Sequence, residues 1–174
     1  MGYKMKREFD YISYTNRVVA KILSIIVLIF LPLTIFHLNV SLMNNLFLIG
    51  GLTYFYIIPK ITNNKYVVKN LLLVGVSFYY PFIFVLLNSH NSSVPYMYFI
   101  GLVISIMYLN KLSIILYSVS LVIFNSINYC FFSEVFYINH TTTNWMFMFL
   151  MYTICVFISL KIVSNAKTLY IELE

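Results

Sequence analysis

Charge is what this sequence has least of. Only 9% of its 174 residues are Asp, Glu, Lys or Arg, where soluble domains carry about a quarter. Acidic residues are scarcer still: Glu8, Asp10, Glu134, Glu172 and Glu174 are all there are, and none falls inside an apolar run. Proton relays, ion-coupled transporters and intramembrane metalloproteases place carboxylates or histidines at bilayer depth, where their cost restricts them to functional use. The sequence also lacks an H-E-x-x-H pair, a Gly-rich phosphate loop and a nucleophile elbow. Together these absences argue against an enzyme or a pump, and they supply no cofactor or metal site. The two cysteines, Cys130 and Cys155, lie in apolar runs without metal-ligand spacing and read as small buried hydrophobes. Nor does the basic N-terminus lead to a small-residue cleavage pattern, so the first apolar run reads as a retained anchor rather than a signal peptide.

What is present is hydrophobic: 61% of the chain, with 16 Phe and 16 Tyr. The apolar residues gather in runs of about 16–22, long enough as helix to cross roughly 30 Å of hydrocarbon. These runs predict an all-α fold, a polytopic membrane bundle of six transmembrane helices. The expected spans are residues 21–40, 43–58, 70–87, 95–109, 112–132 and 144–163. A basic segment over residues 1–20 precedes this domain (21–163), and a cytoplasmic exit helix over 164–174 follows it.

The cations orient the bundle. Lys4, Lys6, Arg7, Arg17 and Lys21 precede the first span; Lys60, Lys65 and Lys69 lie between the second and third. Lys111 sits between the fourth and fifth, and Lys161 and Lys167 close the sixth. These account for every Lys and Arg, while the alternate loops at 37–45, 88–94 and 133–143 hold none. The positive-inside rule then places both termini in the cytoplasm of a multi-pass cell-membrane protein. The net charge of +6 is therefore topological, and no soluble face is left for nucleic acid.

Pro32 and Pro81 predict kinks in the first and third spans, and Pro59 predicts the end of the second. Gly50-Gly51 predicts close helix approach. Tyr96, Tyr98, Tyr137 and Trp145 read as an interfacial aromatic belt. His37, His90 and His140, in or beside the three outer loops, could form a shared metal or pH-sensing site only if those loops converge.

Polar side chains within the spans are mild. Ser118, Asn125 and Asn128 share one face of the fifth helix. They read either as a stripe facing a small-molecule ligand, walled by Tyr79, Tyr80 and Tyr129, or as interhelical hydrogen-bonding groups. At the C-terminus, Val156, Ser159, Val163, Ala166, Tyr170 and Leu173 recur at spacings of three and four, the seam pattern of a coiled coil. That pattern reads either as a dimerising stalk, which predicts a homodimer formed through the exit helix, or as an ordinary amphipathic tail, since its cytoplasmic part covers fewer than two heptads.

Two stretches, MYLNKLSIILY at residues 107–117 and the exit helix at 161–174, resemble the N-terminal six-helix membrane region of certain bacterial signalling receptors. These include methyl-accepting chemotaxis-type transducers, diguanylate cyclases and sensor kinases. Many of them carry two basic residues at the tight turn where this chain has Lys111 alone. The resemblance implies a sensory input region that passes a stimulus through its sixth helix to a cytoplasmic output domain outside this sequence. In length, span number and orientation the chain is also similar to the substrate-capturing subunit of energy-coupling vitamin transporters, whose first helix carries small residues four apart; here Ala20 and Ser24 supply one such pair. A non-catalytic membrane scaffold is the third reading.

Overall fold

A computed structural model of the chain describes residues 2–36, 42–86, 95–131 and 142–172. Among these there are six α-helices and no strands: α1 (Gly2–Phe36), α2 (Leu42–Ile61), α3 (Lys65–Leu86), α4 (Pro95–Ile106), α5 (Lys111–Phe131) and α6 (Thr142–Glu172). The chain divides into two compact units, with the boundary between Gly75 and Val76 inside α3.

In the first unit α1 and α2 pack along their lengths. Ile12, Thr15, Asn16, Val19, Ala20, Leu23 and Val27 of α1 are buried, at the three- and four-residue spacings that put side chains on one helical face. From α2 come buried Leu48, Phe55 and Ile58, and from α3 Val68, Leu72 and Leu73. The expected end of α2 at Pro59 is not observed. The helix continues to Ile61, because a proline so near the C-terminus forfeits a single backbone bond in the last turn. Residues 62–64 then reverse the chain. Thr62 Oγ1 accepts from the Asn64 amide at 3.2 Å, and Asn64 Oδ1 accepts from the amides of Tyr66 and Val67 at 3.1 and 3.3 Å. Asn64 thus caps α3 by satisfying two of the donors every helix start leaves open. Asn64→Ala is expected to destabilise the unit by about 1 kcal/mol, measured by thermal unfolding.

The second unit is held by α4, α5 and α6, with α6 packing on both the others. The tight turn expected at Asn110-Lys111 is present. Leu109 takes a left-handed backbone (φ 47°), and Asn110 caps α5 through Oδ1, which accepts from the Leu112 amide at 2.9 Å.

Each unit contains a tyrosine wedged over a glycine of the neighbouring helix. Tyr54 of α2 donates to the Leu71 carbonyl at 2.9 Å, and its ring lies against Gly75, one turn further along α3. Tyr117 of α5 donates to the Tyr98 carbonyl at 2.9 Å and lies against Gly101 of α4. A Cβ on either glycine would intrude on the ring. The close approach expected at Gly50 is not made, since a Cβ there meets nothing within 4 Å. Cys130 likewise departs from expectation and is exposed, while Cys155 is half-buried.

Two stretches, Tyr11–Ile29 of α1 and Phe147–Ala166 of α6, are long and apolar enough to cross a membrane; the apolar stretches Leu46–Ile61 and Lys111–Ile127 are shorter. Helix α1 runs unbroken through the basic segment, and Arg17 and Lys21 are the only charges in the first stretch. Across the described residues, large apolar side chains face outward, Phe131, Phe149 and Phe157 among them, while Ser77, Ser105, Ser113, Ser120 and Ser159 are buried. The core is still mainly apolar, but so much outward-facing apolar surface is more than a water-soluble chain usually shows.

Candidate functional site

The polar side chains of the second unit cluster around α5. Tyr98 of α4 is buried and donates its hydroxyl to Asn125 Oδ1 at 2.7 Å. The same asparagine donates from Nδ2 to the Leu121 carbonyl one turn back, at 2.9 Å. Both functional ends of the amide are thus engaged, one across the helix pair and one within α5. Seven residues earlier, Ser118 Oγ and the Tyr152 hydroxyl of α6 lie 3.2 Å apart in a hydrogen bond. The Tyr152 ring also meets Phe99 of α4, with centroids 5.9 Å apart.

Ser118 and Asn125 share the expected face of α5 but turn to different partners, α6 and α4 respectively. Asn128, Tyr129 and Tyr80 carry side chains outside the described set, and Tyr79 is buried on α3. Tyr98 departs from its expected place in the aromatic belt: it is buried because its hydroxyl is held by Asn125. Two further polar atoms at the turn end of this hairpin, Tyr108 OH and Ser113 Oγ, are buried without a hydrogen-bond partner.

No protein-family model, curated protein or solved structure matches the chain. What the cluster can do is therefore argued from its own groups. It offers hydroxyls and one amide, all neutral and suited to hydrogen bonding. Because the Tyr98–Asn125 bond joins two helices, a double-mutant cycle on Tyr98→Phe and Asn125→Leu should return a coupling of roughly 0.6 kcal/mol, and no more than about 1.7. Thermal unfolding of the four proteins measures it.

The sequence signals Ser118 and Asn125 through their polarity inside an apolar run. It gives no sign of their partners, since Tyr98 and Tyr152 are two tyrosines among 16. Gly75 and Gly101 were equally silent, lacking the doubled glycine that drew attention to residues 50–51.

The orienting cations fall in three environments. Arg17, Lys21, Lys60, Lys111 and Lys161 are exposed, Lys65 is half-buried, and Lys69 is buried within α3. Lys4, Lys6, Arg7 and Lys167 carry side chains outside the described set, and His37, His90 and His140 lie outside the described residues altogether.

The exit-helix seam has a specific placement. Ser159 and Val163 are buried within the chain, and Val156 and Ala166 are half-buried, while Phe157, Ile158 and Ile162 face outward. Tyr170 and Leu173 are outside the described side chains. On α1, Ala20 is buried and Ser24 half-buried, so this small-residue pair lies mainly on the inward face.

Proposed function

We propose that the chain is a six-span α-helical membrane protein with cytoplasmic termini, and that it serves as the sensory input region of a signalling receptor. The observation that carries the sensory reading is α6. It runs unbroken for 31 residues, about 46 Å at 1.5 Å per residue, which exceeds what a hydrocarbon core of about 30 Å requires. Near its start Tyr152 ties it to the polar cluster through Ser118 and Phe99. A stimulus that repacks α4 and α5 would therefore bear directly on a continuous rod leading to the cytoplasm. The multi-pass reading draws on the alternation of basic and cation-free loops and on the outward-facing apolar surface.

In this reading pairing between two copies starts beyond Ala166, because Ser159 and Val163 are already covered within one chain. The energy-coupling subunit reading gains no comparable support, as Ala20 is turned inward.

The test is a register scan. A coiled-coil-dependent output module is joined after Glu174, with zero to seven residues of helical linker between them. Output activity should rise and fall with the heptad period, and Ser118→Ala together with Tyr152→Phe should shift its basal level. Activity independent of linker length would rule out transmission through α6.

A further inference from the structure

The first unit gathers its cations at one end. The turn at residues 62–64 necessarily puts the end of α2 beside the start of α3. Asn16 Nδ2 donates to the Lys65 carbonyl at 2.9 Å, bringing the middle of α1's basic stretch to the same place. Three helix segments thus converge, each carrying a tyrosine and a cation three or four residues apart in sequence: Tyr14 and Arg17 on α1, Tyr56 and Lys60 on α2, and Tyr66 and Lys69 on α3. The Lys60 ammonium lies 3.6 Å from the Tyr56 ring centroid, and Lys69 lies 5.9 Å from that of Tyr66.

Acidic residues are absent from a long stretch of sequence around this end. Residues 11–133 contain no Asp or Glu. Residues 1–75 hold eight cations and two acids, while residues 76–174 hold three of each, so the whole net charge of +6 belongs to the first unit.

We propose that this end of the first unit binds the headgroups of anionic phospholipids in the adjoining leaflet. The exposed face of α1 singles out that occupant. Tyr14, Arg17 and Lys21 lie along it at spacings of three and four, and the same face continues through exposed Ile25 and Leu28. A polyanion such as RNA would satisfy the cations and leave the two aliphatic residues in water. A lipid satisfies both, phosphate against Arg17 and Lys21 and acyl chain against Ile25 and Leu28. Long basic side chains beside tyrosines suit the headgroup level, where an apolar stem and a polar tip are accommodated together. Each Lys or Arg near an anionic surface adds attraction that salt screens.

This inference rests on the membrane reading, and the experiment separates the two. The full chain is reconstituted in phosphatidylcholine containing phosphatidylglycerol, re-extracted in mild detergent, and its retained lipid quantified by mass spectrometry. Phosphatidylglycerol should be enriched over its bulk share. The variant R17Q/K21Q/K60Q should bind it on the order of a hundredfold more weakly, while the second-unit variant K111Q/K161Q keeps the enrichment. Should the triple variant misfold, high salt applied to the unaltered protein should remove the enrichment. No enrichment, or equal loss in both variants, would overturn the proposal. Displacement of the lipid by RNA at matched phosphate would overturn it in favour of a soluble polyanion. Alkaline carbonate washing of native membranes tests the parent reading: a chain left in the pellet without lipid enrichment defeats this inference alone, and a chain washed off defeats both.

Discussion

Gly101→Ala is expected to destabilise the second unit by about 1–3 kcal/mol, the usual cost of forcing extra volume into a packed site. The added Cβ would fall inside the van der Waals envelope of Tyr117. Tyr117 has nowhere to go, being fully buried with its hydroxyl on the Tyr98 carbonyl. Gly75→Ala meets the same kind of obstacle in Tyr54, whose ring atom Cζ would lie 3.0 Å from the new methyl and whose hydroxyl would lie 3.1 Å away. That tyrosine is only half-buried, so it can swing aside and the cost should be smaller. Gly50→Ala meets open space and removes a glycine from a helix interior, which is worth up to about 1 kcal/mol in stability. The order of unfolding midpoints, followed by circular dichroism in detergent, should be Gly50→Ala above the unaltered protein, then Gly75→Ala, then Gly101→Ala. An equal rise in all three would show that helix propensity and not the tyrosine wedges governs these positions.

Val163→Asp should be the more damaging of two matched substitutions on α6. Val163 is 1% exposed, whereas Ile162 beside it is 51% exposed. A carboxylate at 163 loses its water without gaining a partner, a penalty of several kcal/mol. One at 162 stays at the surface, near the exposed Lys161. Val163→Asp is therefore expected to abolish a folded, monodisperse product, while Ile162→Asp yields one. Size-exclusion profiles of the two proteins, with fluorescent tags, decide the matter. Equal tolerance would mean that the seam face of α6 is not held within the chain.

The α6 seam also marks a limit of what sequence can say. A repeat of three and four at Val156, Ser159, Val163 and Ala166 reports that one face of the helix is covered. The pattern is the same whether the cover is a second copy or the chain's own helices, because both bury the same face. At Ser159 and Val163 the cover is internal to the chain.

Helix existence was legible because long apolar runs bounded by Asn and Lys leave little alternative. Helix starts were not always so. The apolar run from residue 70 marks no helix start, and α3 begins at Lys65, since the Asn64 cap acts through geometry that a run of polar residues hides. The candidate site was half legible, its asparagine and serine conspicuous and its tyrosine partners hidden among many others. Which tyrosine reaches which glycine or amide depends on contacts 17 to 34 residues apart in sequence, and no local pattern encodes those.

The shortness of α4 bears on how the chain would be made. Its 12 residues cover about 18 Å, little more than half of a bilayer's hydrocarbon. Such a segment leaving the ribosome would have a weak claim on the membrane by itself. The turn at 107–110 and the Tyr98–Asn125 and Tyr117–Tyr98 bonds tie it to the helix synthesised next. Under the proposed six-span topology, α4 would wait in a translocation channel for α5 and partition with it as a hairpin, so that ribosome-bound chains truncated between the two should leave α4 accessible to aqueous reagents.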